Sequence, residues 1–271
     1  MSSTEILART RNFLDLHRVT VSGQGTATLV LANGFGTDQK IWKHVLPWME
    51  RRYRVVRFDW LIDPCHYDAS RYATLDGYAD DLLALLIATD TPSCLYVGHS
   101  MSGMAGMLAA KRAPDRFRHL VMLAPSPCFV NHPGYDGGFE REQIDQLLQE
   151  LGSDYMKWIE DFSPLAMAAA PDQPETMEFA RSLRAMRPDV AFSMALTVFK
   201  MDLRNQLAGF THPATIVQTR DDMAVPMAVP RYLMKHWPQA TLEVIDTAGH
   251  FPHLTAPAQL VDILARNLPA A

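Results

Sequence analysis

What this 271-residue chain lacks narrows it first. It has only three cysteines, Cys65, Cys94 and Cys128, an odd number and widely spaced. That is no disulfide frame; it points to a reduced compartment and a cytoplasmic protein, and none of the three stands near a Cys or His at zinc-site spacing, so no metal is expected. Basic residues are not in excess: 25 Lys and Arg face 30 Asp and Glu. A net charge of −5 offers nothing to nucleic acid or an anionic membrane. No apolar run approaches the ~20 residues of a membrane span. Between Met1 and Asp15, Glu5, Arg9 and Arg11 interrupt any apolar stretch, so the segment reads as a short helical lead-in rather than a secretory signal. Gly34 and Gly36 lack the G-x-G-x-x-G continuation, so no nucleotide cofactor is expected. His44, His66 and His132 are isolated and read as surface residues.

What is present is a β-α-β-α rhythm. Ala27–Leu31, Tyr53–Phe58, Ser93–Val97 and His119–Ala124 are short, continuously apolar runs of the kind found in buried parallel strands. Leu75–Thr89 and Met101–Ala113 have helical spacing, and Pro114 closes the second. A helical stretch is also expected over Gln39–Met49. From Phe139 to Met201 the rhythm changes to four helical patterns, Glu140–Leu151, Asp154–Ala168, Pro174–Met186 and Asp189–Met201, punctuated by prolines. Strands resume at Ala214–Gln218 and Thr241–Ile245, and a helix runs from Pro257 to about Leu268. The expectation is one α/β domain over residues 1–271. It has a mostly parallel sheet with helices on both faces, a core of 16–125 and 205–271, and a four-helix lid at about 135–203. The lid starts beyond a strand's C-terminal end, the edge where such sheets bind ligands.

The chemistry centres on Gly98-His99-Ser100-Met101-Ser102-Gly103, where an apolar strand turns sharply into a helix. Such an elbow holds a serine hydroxyl exposed at the sheet edge, and small residues on either side let the two backbones pass closely. Ser100 is the candidate nucleophile. A base and an orienting acid are expected to follow it in the chain, in loops after later strands. Asp221 and Asp222 sit in one such loop; Gly249-His250-Phe251-Pro252-His253 occupies another, with His250 favoured as base over His253. The backbone N–H of Met101, next to the nucleophile, is one expected oxyanion donor. Phe35, flanked by Gly34 and Gly36 after the first long strand, is the other.

Several segments together resemble one branch of the α/β-hydrolases, the branch of the bacterial stress-signalling hydrolase RsbQ and the plant karrikin and strigolactone receptors. They include Gly34-Phe35-Gly36-Thr37-Asp38-Gln39, Gly98-His99-Ser100-Met101-Ser102, Gly137-Gly138-Phe139-Glu140, Met186-Arg187-Pro188-Asp189, Asp222 with Val225-Pro226, and Gly249-His250 with Pro252-His253-Leu254. The resemblance implies the α/β-hydrolase fold with a V-shaped lid, and a Ser100–Asp222–His250 triad in which Asp222 rather than Asp221 is the acid. It also implies hydrolysis of a small, mostly apolar ester or lactone through an acyl-enzyme, without a cofactor. Phe35, Phe129, Phe162 and Val198 are the expected pocket residues, because they flank the elbow or match the branch's pocket positions; by spacing, the lid helices present an apolar stripe of Leu147, Trp158, Phe162, Leu165, Phe179, Met194 and Phe199, most of it core between helices. The alternative the resemblance carries is a ligand-sensing hydrolase whose lid docks a signalling partner protein. The chain departs from the branch at Asn33, where the plant members have His, at Phe58–Pro64, which replaces a glycine-containing loop, and at Cys128, which stands at the usual Arg position.

Overall fold

Strands buried on both faces must be apolar on both, and the runs that meet this condition form the centre of the sheet. The computed structural model describes residues 3–60, 63 and 65–269; Leu61, Ile62 and Pro64 of the departing loop lie outside them. The strands are β1 (Thr20–Ser22), β2 (Thr28–Ala32), β3 (Arg54–Arg57), β4 (Cys94–His99), β5 (Phe117–Leu123), β6 (Ala214–Asp221) and β7 (Ala240–Ala248). They form one sheet in the order β1-β3-β2-β4-β5-β6-β7. Every pairing is parallel except β1 with β3. β4 is buried along its whole length, as the central strand should be. β1, three mostly exposed residues at the edge, lacks the apolar pattern that made the others legible.

The helices are α1 (Ser3–Leu16), α2 (Leu46–Glu50), α3 (Leu75–Ala88), α4 (Met101–Arg112), α5 (Arg141–Ser153), α6 (Tyr155–Met167), α7 (Pro174–Arg184), α8 (Pro188–Lys200), α9 (Ala228–His236), α10 (Pro252–Thr255) and α11 (Pro257–Asn267). The helical stretch expected over Gln39–Met49 is broken into a 3₁₀ turn, Gln39–Trp42, and α2. Pro47 explains the break: it has no N–H to continue the ladder through the turn before it. α9, between β6 and β7, carried no clear signal in the sequence.

The four helices inserted between β5 and β6 are delimited by local chemistry. Glu140 and Gln143 form a reciprocal capping box on α5. Asp154 caps α6 by accepting from the Lys157 amide at 3.0 Å, and Ala168 ends it in the left-handed region at φ 49°. Prolines open α7 and α8, where the missing N–H costs nothing. Phe162 of α6, Phe179 of α7 and Val198 of α8 face a cavity at the C-terminal end of β4, so the insertion roofs that edge of the sheet.

Candidate active site

The turn from β4 into α4 forces Ser100 to φ 55°, ψ −122°, a strained backbone that leaves its side chain at the sheet edge. Its amide is anchored to the Leu123 carbonyl of the neighbouring strand at 2.7 Å. A Cβ at position 98 would lie 2.7 Å from the Ser102 carbonyl oxygen, so only glycine lets the helix start this close to the strand.

His250 Nε2 lies 2.9 Å from Ser100 Oγ, and His250 Nδ1 lies 2.7 Å from Asp222 Oδ2. An ionised carboxylate only accepts, so Nδ1 carries the proton and Nε2 is the acceptor that faces the serine hydroxyl. Asp222 is itself held on both oxygens. Oδ1 accepts from the amides of Ala224 (2.9 Å) and Val225 (3.2 Å), and Oδ2 from the Gln218 side chain at 3.2 Å. All three groups are buried: Ser100 is 6 %, Asp222 7 % and His250 7 % exposed. The loops meet because the β6–β7 pairing runs to their roots, where the Gly249 amide donates to the Asp221 carbonyl at 2.8 Å. Asp222 and His250 are the next residues on each side. Asp221 is exposed; Arg220 pairs not with it but with Asp246, at 2.5 Å.

Phe35 lines the cavity over Ser100 and Met101 follows Ser100 at the start of α4; among the described residues neither backbone N–H is hydrogen-bonded. The loop carrying Phe35 is tied down by residues at two of the departures from the related branch. Ser102 Oγ donates to the Asn33 carbonyl at 2.5 Å, and the Trp60 indole N–H reaches the same carbonyl at 2.8 Å and Ser102 Oγ at 3.0 Å. Asn33 Nδ2 closes the loop on Thr37 O at 2.5 Å. Trp60 thus anchors the loop that carries Phe35, a role its place in the sequence did not disclose.

The cavity over Ser100 is narrow and mostly apolar. Phe35, Phe129, Phe162 and Val198 line it, together with Ala166, Phe179, Phe199, Ala224 and Phe251, and no lysine or arginine among the described residues does so. Phe179 and Phe199 belong to the apolar stripe legible in the helices; Phe251, Ala166 and Ala224 were not foreseen. Leu165, from the same stripe, points outward and is 57 % exposed.

Three further histidines sit in environments that their places in the sequence did not disclose. His253 is fully buried, neither ring nitrogen has a partner among the described residues, and burial with the neighbouring His250 pushes its pKa down to about 3. It packs against Trp42 with ring centroids 4.8 Å apart. His99 is held neutral, far below the usual imidazole range, by burial and by His253 and His250. Its Nε2–H donates to the His250 carbonyl at 2.8 Å, clamping the base from behind. His132, read as an isolated surface residue, is half-buried and has Cys128 and Asp202 for neighbours.

The sequence model of the alpha/beta hydrolase family matches residues 29–263. Karrikin insensitive 2 receptor IA of Petunia hybrida is 45% identical over 255 residues, covering 92% of this chain and 93% of that protein. Strigolactone esterase D14 of Arabidopsis thaliana is 41% identical over 264 residues, 95% of this chain and 98% of that protein. Among solved structures, a hydrolase from Oleispira antarctica superposes with a TM-score of 0.91 at 31% identity, over 95% of this chain and 96% of that one. No helix among the described residues is long and apolar enough to cross a membrane.

Proposed function

The chain belongs to the alpha/beta hydrolase family, and from that premise we propose that it is a carboxylic-ester hydrolase acting on small, neutral esters or lactones. The observation that carries this reading is the continuous line Ser100–His250–Asp222, hydrogen-bonded at 2.9 and 2.7 Å on the floor of an apolar cavity. Ser100 Oγ attacks the carbonyl carbon while His250 Nε2 takes its proton, and Asp222 steadies the imidazolium that results. The charge on the carbonyl oxygen is met by the Phe35 and Met101 amides, fixed dipoles that need no reorganisation as it develops. His250 then passes its proton to the departing alcohol, leaving an acyl-Ser100 that water hydrolyses by the same steps.

The cavity supports the choice of substrate class. Its lining is aromatic and aliphatic, and a substrate carboxylate would be desolvated with no cation to pair it, at a cost of several kcal/mol. The test is covalent. A serine-directed phosphonate should add its mass to Ser100, and Ser100→Ala should lose both the label and about 10⁴-fold or more in kcat. Undiminished hydrolysis by Ser100→Ala would overturn the reading.

A second reading, a ligand sensor whose helical lid docks a partner protein, is favoured by the names of the plant relatives. It is also favoured by the hydrogen bond from the His250 amide to the Ala166 carbonyl of α6. An initial burst followed by slow steady turnover would support the sensor. Fast turnover without a burst would support the plain enzyme.

A further inference from the structure

Away from Ser100, the fold gathers a sulfur, an imidazole nitrogen and a carboxylate oxygen, from Cys128, His132 and Asp202, within 4.8 Å of one another. We propose that these three side chains form a binding site for a divalent transition-metal ion, with zinc as the best match to the donor set.

Backbone pairing, rather than chance approach of long side chains, creates the cluster. Cys128 and Asp202 face each other in an antiparallel bridge, extended by the Leu203 amide donating to the Pro127 carbonyl at 2.8 Å. A tight turn with reciprocal His132–Tyr135 bonds of 2.9 and 2.8 Å folds His132 back over Cys128, and Tyr135 Oη locks the Cys128 carbonyl at 2.6 Å. The cysteine and histidine are four positions apart, but it is the bridge that supplies the third donor from 70 residues further on.

The donor chemistry selects the ion. Thiolate, imidazole and carboxylate suit zinc at about 2.0–2.3 Å, whereas calcium and magnesium call for oxygen alone. A tetrahedral zinc needs its donors about 3.3–3.8 Å apart, so the cluster closes with side-chain shifts of about an ångström. Arg204 grips Asp202 through Nε–Oδ1 at 2.8 Å and Nη2–Oδ2 at 2.6 Å; its amide also donates to Oδ1 at 3.2 Å, so Oδ2 is the oxygen that keeps a second lone pair for an ion. Arg204 is then the outer partner that orients a metal ligand. The adjoining cavity is also bordered by Arg141, Asp145 and Lys200; Lys200 is already neutralised by Asp145 at 2.7 Å. On binding, the Cys128 thiol releases its proton to solvent, and the ion meets a thiolate, a neutral imidazole and the carboxylate that Arg204 already holds. The fourth position falls to solvent.

The site lies where the inserted helices leave and rejoin the sheet. Phe129, next to Cys128, and Phe199, at the end of α8, both line the cavity over Ser100. A bound ion therefore staples the base of the roof over the catalytic line.

The experiment uses full-length Cys65→Ser protein, reduced, so that the exposed thiol cannot contribute. Titration with Co²⁺ should produce a thiolate-to-cobalt charge-transfer band at one equivalent, bleached by Zn²⁺, with Zn²⁺ raising Tm. The band and the Tm rise should vanish on adding Cys128→Ser, and His132→Gln should weaken Co²⁺ binding by roughly tenfold or more. Absence of the band overturns the proposal, as does a band indifferent to His132→Gln, the exchange at a half-buried position that guards against misfolding of the Cys128 variant.

Discussion

The backbone amide of His250 donates to the carbonyl of Ala166 at 2.8 Å, so the candidate base hangs from the last turn of α6 as well as from the sheet. The preceding residue, Gly249, sits at φ 90°, and a Cβ there would meet the Met167 carbonyl carbon at 2.8 Å. Gly249→Ala should therefore pry the histidine loop off α6 and strain its own backbone. The expected result is a loss of about 1–3 kcal/mol in urea unfolding together with reduced kcat. Wild-type stability in this variant would show that the two segments are not tightly joined.

Asp222 and Asp221 should behave oppositely. Asp222→Asn replaces the carboxylate that sets the His250 tautomer and should cost about 10⁴-fold in kcat. Asp221→Asn, at an exposed position, should stay within about twofold. Steady-state kinetics of the pair distinguishes the two, and the reverse ranking would reassign the acid.

Trp60→Phe keeps the aromatic packing but removes the N–H that holds the Asn33 carbonyl and Ser102 Oγ. The loop bearing the Phe35 amide should loosen, lowering kcat by about tenfold with little change in KM. That is less than the 10²–10³-fold expected when an oxyanion donor is removed outright. A change in KM alone would place Trp60 in substrate binding instead.

Stability should fall on the acid side. Burial holds the imidazoles of His17, His99 and His253 below their ordinary range, His253 at about 3. In the unfolded chain each titrates near 6.5. Between the two values the unfolded state binds protons that the native state refuses, so stability is lost as pH falls from about 6.5 toward 3. Each such group adds up to about 1.4 kcal/mol per pH unit. Urea unfolding at pH 7, 6, 5 and 4.5 should trace this slope, and His253→Met should make it shallower by one group. An unchanged slope would mean His253 is protonated in the native protein.

A neutral butyrate-sized ester should be preferred over a dicarboxylate monoester of equal length, by tenfold or more in kcat/KM. Each 1.4 kcal/mol of unrelieved desolvation is a factor of ten. Preference for the anion would reveal a cation reaching the cavity from outside its present lining.

The sequence by itself determined whatever depends on neighbours along the chain. Apolar runs made β2, β4, β5 and β6 legible because strands buried on both faces cannot be anything else. Gly98 before Ser100 marked the elbow, because only small residues tolerate so sharp a turn. The prolines at 174 and 188 marked helix starts, because proline belongs where no N–H is needed. Local pattern fails where the deciding contact comes from far away. β1 is a strand only because β3 offers it an edge. Trp60 became an anchor because its indole meets Asn33 and Ser102 across the sheet edge. The choice between Asp221 and Asp222 rested on resemblance until the β6–β7 pairing paired Asp221 with Ala248, bonded the Gly249 amide to the Asp221 carbonyl and so set Asp222 beside His250. Only the tertiary structure decided that His253 is buried without partners, that Leu165 faces outward, and that Cys128, His132 and Asp202 share one corner. Side-chain environment is fixed by packing between elements, and spacing along a single element does not carry it.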